Sequence, residues 1–277
     1  MSTYKELLLS AQKILKANGI ADAELDAWYL LAHVFGLSRS EFFLHGHEEG
    51  SEEKALLYNE LVEVRSSHIP LQHIIGTQEF MGLEFDVDEN VLIPRQDTEI
   101  LVEEVMTVSN DKNVLDLCTG SGCIIISLAK LGNIKKAVGV DISKKALKIA
   151  KRNAEKLNAN VTFICSDLFE KIQEIFDIIV SNPPYIRSAD IFNLMPEVRD
   201  HEPKLALDGG VDGLTFYEKI ISKLDRFLNP HGYVFFEIGH DQGEDICNML
   251  EDAGFVDIYI KKDLGGFDRV VCAKWHI

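Results

Sequence analysis

The chain has 277 residues, 46% hydrophobic and 26% charged, which is enough for one large domain or two and excludes disordered and fibrous classes. With 45 Asp and Glu against 28 Lys and Arg, the formal charge of −17 repels polyanions, so duplex nucleic acid is disfavoured as a partner. Five cysteines without a Cys-x-x-Cys pair, no basic-then-apolar leader and no apolar run of membrane-spanning length predict a cytoplasmic protein with reduced thiols and no membrane partner.

Thr3-x-x-Glu6 forms a capping-box pattern, after which Leu7, Leu8, Ala11, Ile14 and Leu15 recur at helical spacing up to Asn18-Gly19. Asp22 is placed to cap a second helix ending at Gly36, Ser38-x-x-Glu41 opens a short third, and residues 51–66 form one more. Residues 1–66 are therefore expected to be a small helical domain for packing or partner recognition. His45-Gly46-His47 has no carboxylate or cysteine at ligand spacing and reads as a solvated loop rather than a metal site. Over residues 67–94 the period changes to two, through His73-Ile74-Ile75, residues 79–87 and Val91-Leu92-Ile93, which predicts a β-hairpin linker. Arg95 and Glu99, just before a helical stretch over residues 100–108, either follow a helix-start charge pattern or line a site.

Residues 95–277 alternate strand and helix. Strands are expected at 113–117, 138–141, 161–167, 176–182, 233–238, 256–260 and 269–273, with helices at 123–130, 146–157, 216–228 and 244–253. Only the last two strands are adjacent. The pattern predicts an α/β fold with a doubly wound, seven-stranded, mostly parallel sheet carrying one antiparallel strand.

The chemistry is expected at strand ends. Ile178-Ile179-Val180 is a continuous apolar run that suits a strand covered on both faces, and it leads directly into Asn182-Pro183-Pro184-Tyr185. The two prolines supply no N–H and stop the ladder, so an amide, a carbonyl and a ring are presented together where open α/β sheets place ligands. Taken alone, the tetrapeptide is either such a site or an ordinary turn. A second strand-to-turn stretch, Asp116-Leu117-Cys118-Thr119-Gly120-Ser121-Gly122, favours the site. Glycines there let a ligand approach the backbone, but the third glycine of a dinucleotide fingerprint is missing, which weakens an NAD reading. Asp116 would repel a pyrophosphate and favour an ammonium or sulfonium. Asp141, about twenty residues beyond, has the spacing of a ribose-binding acid, and Asp167 at the next strand end is placed to accept from an adenine amine. Each acid alone equally suits a helix cap.

These motifs resemble the class I, Rossmann-like S-adenosylmethionine-dependent methyltransferases that act on amide or exocyclic nitrogen. More narrowly, the chain is similar to the bacterial glutamine methyltransferases of peptide chain release factors. That match rests on residues 93–99, Ser166-Asp167-Leu168-Phe169, Glu202-Pro203, Leu207-Asp208-Gly209-Gly210-x-Asp212-Gly213-Leu214 and Lys262-Asp263-Leu264-Gly265-Gly266-x-Asp268-Arg269, and it extends over the helical N-terminus. The family usually has Gly where Cys118 stands and Pro where Gln96 stands. The resemblance implies S-adenosylmethionine as cofactor, with S-adenosylhomocysteine as product. It implies cofactor contacts from Asp116, Cys118, Thr119, Gly120, Ser121, Gly122, Asp141, Asp167, Leu168 and Asn182. Asn182, Pro183, Pro184 and Tyr185 would hold the methyl acceptor, and no metal ligand or general base is assigned. The implied substrate is the glutamine of the release factor Gly-Gly-Gln segment. The alternative is an exocyclic adenine amine of nucleic acid, because enzymes acting there share the tetrapeptide.

Overall fold

The computed structural model describes residues 2–276. In chain order the elements are α1 (Tyr4–Ala17), α2 (Ala23–Phe35), α3 (Arg39–His45), α4 (Glu52–Ser66), α5 (Leu71–Ile75), β1 (Thr77–Phe80), β2 (Leu83–Asp86), α6 (Gln96–Met106), β3 (Asn113–Leu117), α7 (Cys123–Leu131), β4 (Lys136–Asp141) and α8 (Lys144–Lys156). There follow β5 (Thr162–Cys165), β6 (Phe176–Ser181), α9 (Pro196–His201), α10 (Thr215–Ile221), α11 (Leu224–Phe227), β7 (Leu228–Glu237), α12 (Gly243–Asp252), β8 (Phe255–Lys262) and β9 (Asp268–Trp275). Residues 1–76 and 195–201 make one compact unit, and residues 77–194 with 202–277 make the other.

The helical unit starts on the two expected capping boxes, with Thr3 and Ser38 accepting from the third helical N–H while Glu6 and Glu41 return to the cap. Gly36 ends α2 in the left-handed region, as a residue without Cβ does at no steric cost. Asp22 precedes α2 but makes no side-chain cap bond. Leu7, Leu15, Ala27, Leu30, Leu31, Tyr58 and Val62 form the core, and the Tyr58 hydroxyl donates to the Ala27 carbonyl at 3.0 Å. Two differences from the sequence reading extend this unit. Residues 71–75 are helical instead of alternating, because their apolar residues pack on the helical core, and the segment 195–201 of the long polar connection also belongs here.

A buried ion pair joins these helices. Arg65 Nε donates to Asp26 Oδ2 at 2.7 Å, with both residues 6% exposed; Arg65 also donates to the Ile69 carbonyl at 3.2 Å and to Glu197 at 3.1 Å. Burial pushes the Asp26 carboxyl up although Arg65 opposes it. Removing one partner of such a pair leaves an uncompensated buried charge. Arg65→Ala should therefore cost about 3–5 kcal/mol in denaturant unfolding, and Arg65→Met combined with Asp26→Leu should recover most of it.

In the second unit, β1 and β2 form the expected hairpin across Met81-Gly82, both at positive φ as a tight two-residue turn requires. Residues 91–93 form no strand. The large sheet has seven strands in the order β5-β4-β3-β6-β7-β9-β8, with only β9 antiparallel to its neighbours. The chain leaves β3 towards β4 and β5, then returns to place β6 on the other side. That reversal makes the crevice between the carboxyl ends of β3 and β6 the switch point where such sheets bind ligands. Apolar side chains cover both faces, including Leu115, Ile179, Val234 and Phe236 on one and Val114, Ile178, Val180 and Phe235 on the other. Two predicted helices shift, α6 beginning four residues early at Gln96 and the 216–228 stretch dividing into α10 and α11, and the polar connection, expected without elements, carries short helical turns. Gln96 is the first residue of α6, a position that Pro also tolerates because its N–H has no helical partner.

Candidate active site

Strand register aligns the residues expected at the site along one edge. Leu117 pairs with Val140 and with Ser181, so Cys118, Asp141 and Asn182 leave the sheet at the same level; Asp141 in turn pairs with Cys165, two residues before Asp167. Above them lies a cavity of about 200 Å³, where a single water needs only about 10–15 Å³. Its wall includes Cys118, Thr119, Gly120, Ser121, Asp141, Asp167, Leu168, Asn182 and Pro184, all expected from the sequence. Asp116, Gly122, Pro183 and Tyr185, also expected, do not line it.

The glycine turn explains part of that split. Gly120 has φ +55 and nothing within 4 Å of where a Cβ would stand, so its backbone faces open space. Gly122 has φ +81, and a Cβ there would lie 2.9 Å from Ile126 Cδ1 and 3.2 Å from Ala150 Cβ, which makes it a packing glycine under the turn. Cys118 and Leu168 also sit at positive φ, +60 and +44. Side chains adopt that conformation rarely, and these two wall the same cavity, a concentration of backbone strain expected at a functional site. Burial, with the charges of Asp141 and Asp116, holds the Cys118 thiol well above its usual range, so it remains a neutral part of the wall.

Asp141 Oδ2 accepts from the Gly120 N–H at 2.9 Å and Oδ1 from the Ser143 N–H at 2.8 Å, tying the glycine turn to the loop after β4. Each oxygen keeps a lone pair for a ligand hydroxyl. Asp116 is fully buried; the Thr119 hydroxyl donates to its Oδ2, while Oδ1 has no partner among the described residues. Burial pushes this carboxyl up to about 8.

The tetrapeptide is clamped from outside by the Leu207–Leu214 stretch. Ile186 N–H donates to the Leu207 carbonyl at 3.0 Å and Gly209 N–H to the Ile186 carbonyl at 2.8 Å. A Cβ on Gly209 would lie 2.7 Å from Tyr185 Cα, and Gln242 Nε2 donates to the Tyr185 carbonyl at 3.0 Å. The glycines of that motif thus let one backbone lie directly on another. Asn182 Nδ2 donates to the Thr98 hydroxyl at 3.4 Å, and the Tyr185 hydroxyl donates to Glu237 at 3.3 Å.

Several residues at the candidate site escaped the sequence reading. Asn90, Val91, Leu92 and Pro94 line the cavity from what reads as a linker. Asn153, fully buried on α8, donates to the carbonyls of Asp86 and Ser121 at 3.0 Å each and accepts from the Asp86 N–H at 2.7 Å, bracing the hairpin against the glycine turn. Its signal was a polar residue on the apolar face of an amphipathic helix. Arg95 and Glu99 separate: Arg95 lines the cavity and pairs with the buried Glu202, whereas Glu99 accepts the Met81 N–H at 2.6 Å and anchors the hairpin.

Comparison with known proteins settles the family. Residues 6–76 match the family described as PrmC N-terminal domain, and residues 95–198 match the methyltransferase small domain. A protein of Geobacter sulfurreducens named release factor glutamine methyltransferase is 42% identical over 271 residues, covering 97% of this chain and 95% of that one. A Clostridium acetobutylicum protein of the same name is 42% identical over 278 residues, covering 97% of each. The chain belongs to the release factor glutamine methyltransferase family. In fold, this family member resembles a solved Pyrococcus furiosus methyltransferase with a TM-score of 0.58 at 19% identity, covering 78% of this chain and 100% of that one. None of its helices is long and apolar enough to cross a membrane, among the described residues.

The buried Asp116 makes a pH test of this methyltransferase possible. Because its folded pKa lies above the ordinary 3.8, the folded state keeps a proton that the unfolded chain has lost. The resulting stability is fully present below about pH 3.8 and lost as pH rises to about 8. The thermal midpoint of the free protein should fall across that window, and Asp116→Asn should flatten the fall; equal slopes in the two proteins would contradict the assignment.

Proposed function

We propose that this chain transfers a methyl group from S-adenosylmethionine to the side-chain amide nitrogen (N5) of the glutamine in the Gly-Gly-Gln segment of peptide chain release factors. The observation that carries the reading is the position of Asn182, in the cavity wall at the end of β6 with its Nδ2 turned to Thr98, which leaves Oδ1 as the end available to an acceptor amide. The names of relatives sharing nearly the whole chain favour a glutamine amide over the adenine amine that the tetrapeptide also suits.

The residues present fit the cofactor. The open face at Gly120 admits a ligand against the backbone, Asp141 has lone pairs for ribose hydroxyls, and Oδ1 of buried Asp116 is left without a partner beneath the turn. Ser121, Leu168 and the exposed Asp167 complete the wall where the base would lie. Bound S-adenosylmethionine supplies an electrophilic methyl group on a sulfonium.

The protein's own part is to aim a poor nucleophile. An amide nitrogen has its lone pair delocalised into the carbonyl, so the site must hold it out of plane and offset the positive charge it develops. Asn182 Oδ1 and the Pro183 carbonyl accept its two hydrogens, fixing the direction of the lone pair and stabilising that charge. Tyr185 presents its ring to the flat amide, held by the Glu237 and Gln242 bonds at its two ends. The proton leaves after transfer, when the methylated nitrogen is strongly acidic, so the scheme uses no general base. The helical unit is the proposed grip for the folded release factor, and Phe43 and Leu44 of α3, 88% and 73% exposed, give it apolar contact area.

Asn182→Ala should lower the single-turnover rate on a release factor about 100-fold or more, as for loss of an oriented transition-state acceptor. Cofactor affinity, read by calorimetry, should change little. A variant with the wild-type rate would remove Asn182 from the mechanism.

A further inference from the structure

Asn153 is a polar residue among apolar ones. It sits on the buried face of α8 with Ala146, Leu147, Ile149, Ala150 and Ala154, and it is 0% exposed. Desolvating a side-chain amide opposes folding unless its polar groups find partners, and here both ends do. Oδ1 accepts the Asp86 N–H at 2.7 Å, while Nδ2 donates one hydrogen to the Asp86 carbonyl and the other to the Ser121 carbonyl, each at 3.0 Å. The partners also fix which end of the amide is which, since only Nδ2 can meet two carbonyls.

Asp86 is the last residue of β2, and Asn153 takes both of its main-chain groups, as a residue on a neighbouring antiparallel strand would. Ser121 belongs to the glycine turn and lines the cavity, whereas no residue of the hairpin over 77–86 lines it. Beyond Asp86 the chain runs through Val87 and Val91, which pack on Ala146 and Ile149 of the same helix, and supplies Asn90, Leu92, Pro94 and Arg95 to the cavity wall. One amide on α8 therefore bonds the glycine turn and the root of a second wall segment. The hairpin has other anchors, but they do not touch the turn: Glu99 accepts the Met81 N–H at 2.6 Å, and Lys156 donates to Glu84 at 2.6 Å and to the Asp86 carboxylate at 2.8 Å.

We propose that Asn153 is a positioning residue that couples the β1-β2 hairpin to the cofactor site, so that a ligand seated on the glycine turn also orders the hairpin and the wall segment that follows it. The physical route is short. A ligand that fixes the Ser121 peptide fixes the direction of its carbonyl, that carbonyl holds Nδ2, and the same amide closes on both main-chain groups of Asp86. Such coupling is reciprocal: to the extent that binding orders the hairpin, attachment of the hairpin tightens binding. The hairpin is then a working part of the site, although it stands outside the cavity wall. This inference rests on the reading of S-adenosylmethionine as cofactor, and its test separates the two.

Amide hydrogen exchange over residues 77–90 and calorimetric affinity for S-adenosylhomocysteine are measured without any methyl acceptor, for the wild-type chain, Asn153→Leu, Asn153→Asp and Leu250→Ala. In the wild-type chain, saturating ligand should slow exchange at the Asp86 amide and along the hairpin by roughly fivefold or more. Asn153→Leu removes donors and acceptor at similar volume, and Asn153→Asp keeps an acceptor but loses both donors. Each should abolish the slowing and weaken ligand binding by about 5–50-fold. Leu250→Ala, a cavity-forming change on the buried face of α12, should lower the unfolding midpoint yet keep the slowing and hold Kd within about threefold of wild type. That control separates coupling from general loss of stability. Wild-type affinity and hairpin protection in Asn153→Asp, or equal loss of both in Leu250→Ala, would overturn the inference. Should both Asn153 variants fail to fold, the wild-type chain decides: ligand that binds without slowing hairpin exchange overturns the inference, and ligand-dependent slowing at the Asp86 amide upholds it. A wild-type chain that does not bind S-adenosylhomocysteine overturns the cofactor reading and this inference with it.

Discussion

The carboxyl edge of the parallel sheet is the constraint on which the rest depends. Parallel strands all end at the same level, so the four neighbouring strands β5-β4-β3-β6 present four loop starts in a row. The chain has made each start chemically distinct: a glycine turn after β3, the acid Asp141 at the end of β4, Asp167 beyond β5, and an Asn-Pro-Pro turn after β6. Register fixes their spacing before any side-chain contact forms. Pro183 and Pro184 are essential to this, because a segment without N–H groups cannot prolong the ladder beyond Ser181, and Asn182 is left at the edge.

What surrounds that edge keeps it rigid. The Leu207–Leu214 stretch lies backbone to backbone on Tyr185 and Ile186, Asn153 braces the glycine turn, and Glu99 holds the hairpin through the Met81 N–H. Four buried or nearly buried acids, Asp116, Asp141, Glu202 and Glu237, cluster in this region of the unit, each with its carboxyl pushed up by burial. No stability argument explains such a set, since desolvation of each opposes folding. They are consistent with a site that holds amide and hydroxyl groups in fixed orientation.

Much of this was legible in the sequence, for reasons that can be named. Strand cores such as Ile178-Ile179-Val180 are continuous apolar runs that suit no exposed element, and the glycines and prolines at their ends punctuate the chain unambiguously. The first-turn capping boxes at Thr3 and Ser38 are local chemistry and formed as expected. The failures are those of tertiary context. Residues 71–75 alternate enough to suggest a strand, yet packing on the helical core makes them a helix. Asp116 sits beside the right turn in sequence, but its side chain lies beneath that turn instead of in the wall. Glu237 was invisible for the opposite reason: nothing local distinguishes it at the end of an apolar strand, and only the fold brings the Tyr185 hydroxyl of the tetrapeptide to its buried carboxyl.

The central claim is that this edge delivers one methyl group to one glutamine amide. Incubating the purified chain with S-adenosylmethionine and an unmethylated release factor, followed by mass spectrometry of the peptides, tests it most directly. The account predicts a single added methyl group on the side-chain nitrogen of the Gly-Gly-Gln glutamine and on no other residue. An unmodified release factor, or a methyl group placed on a residue other than that glutamine, would contradict it.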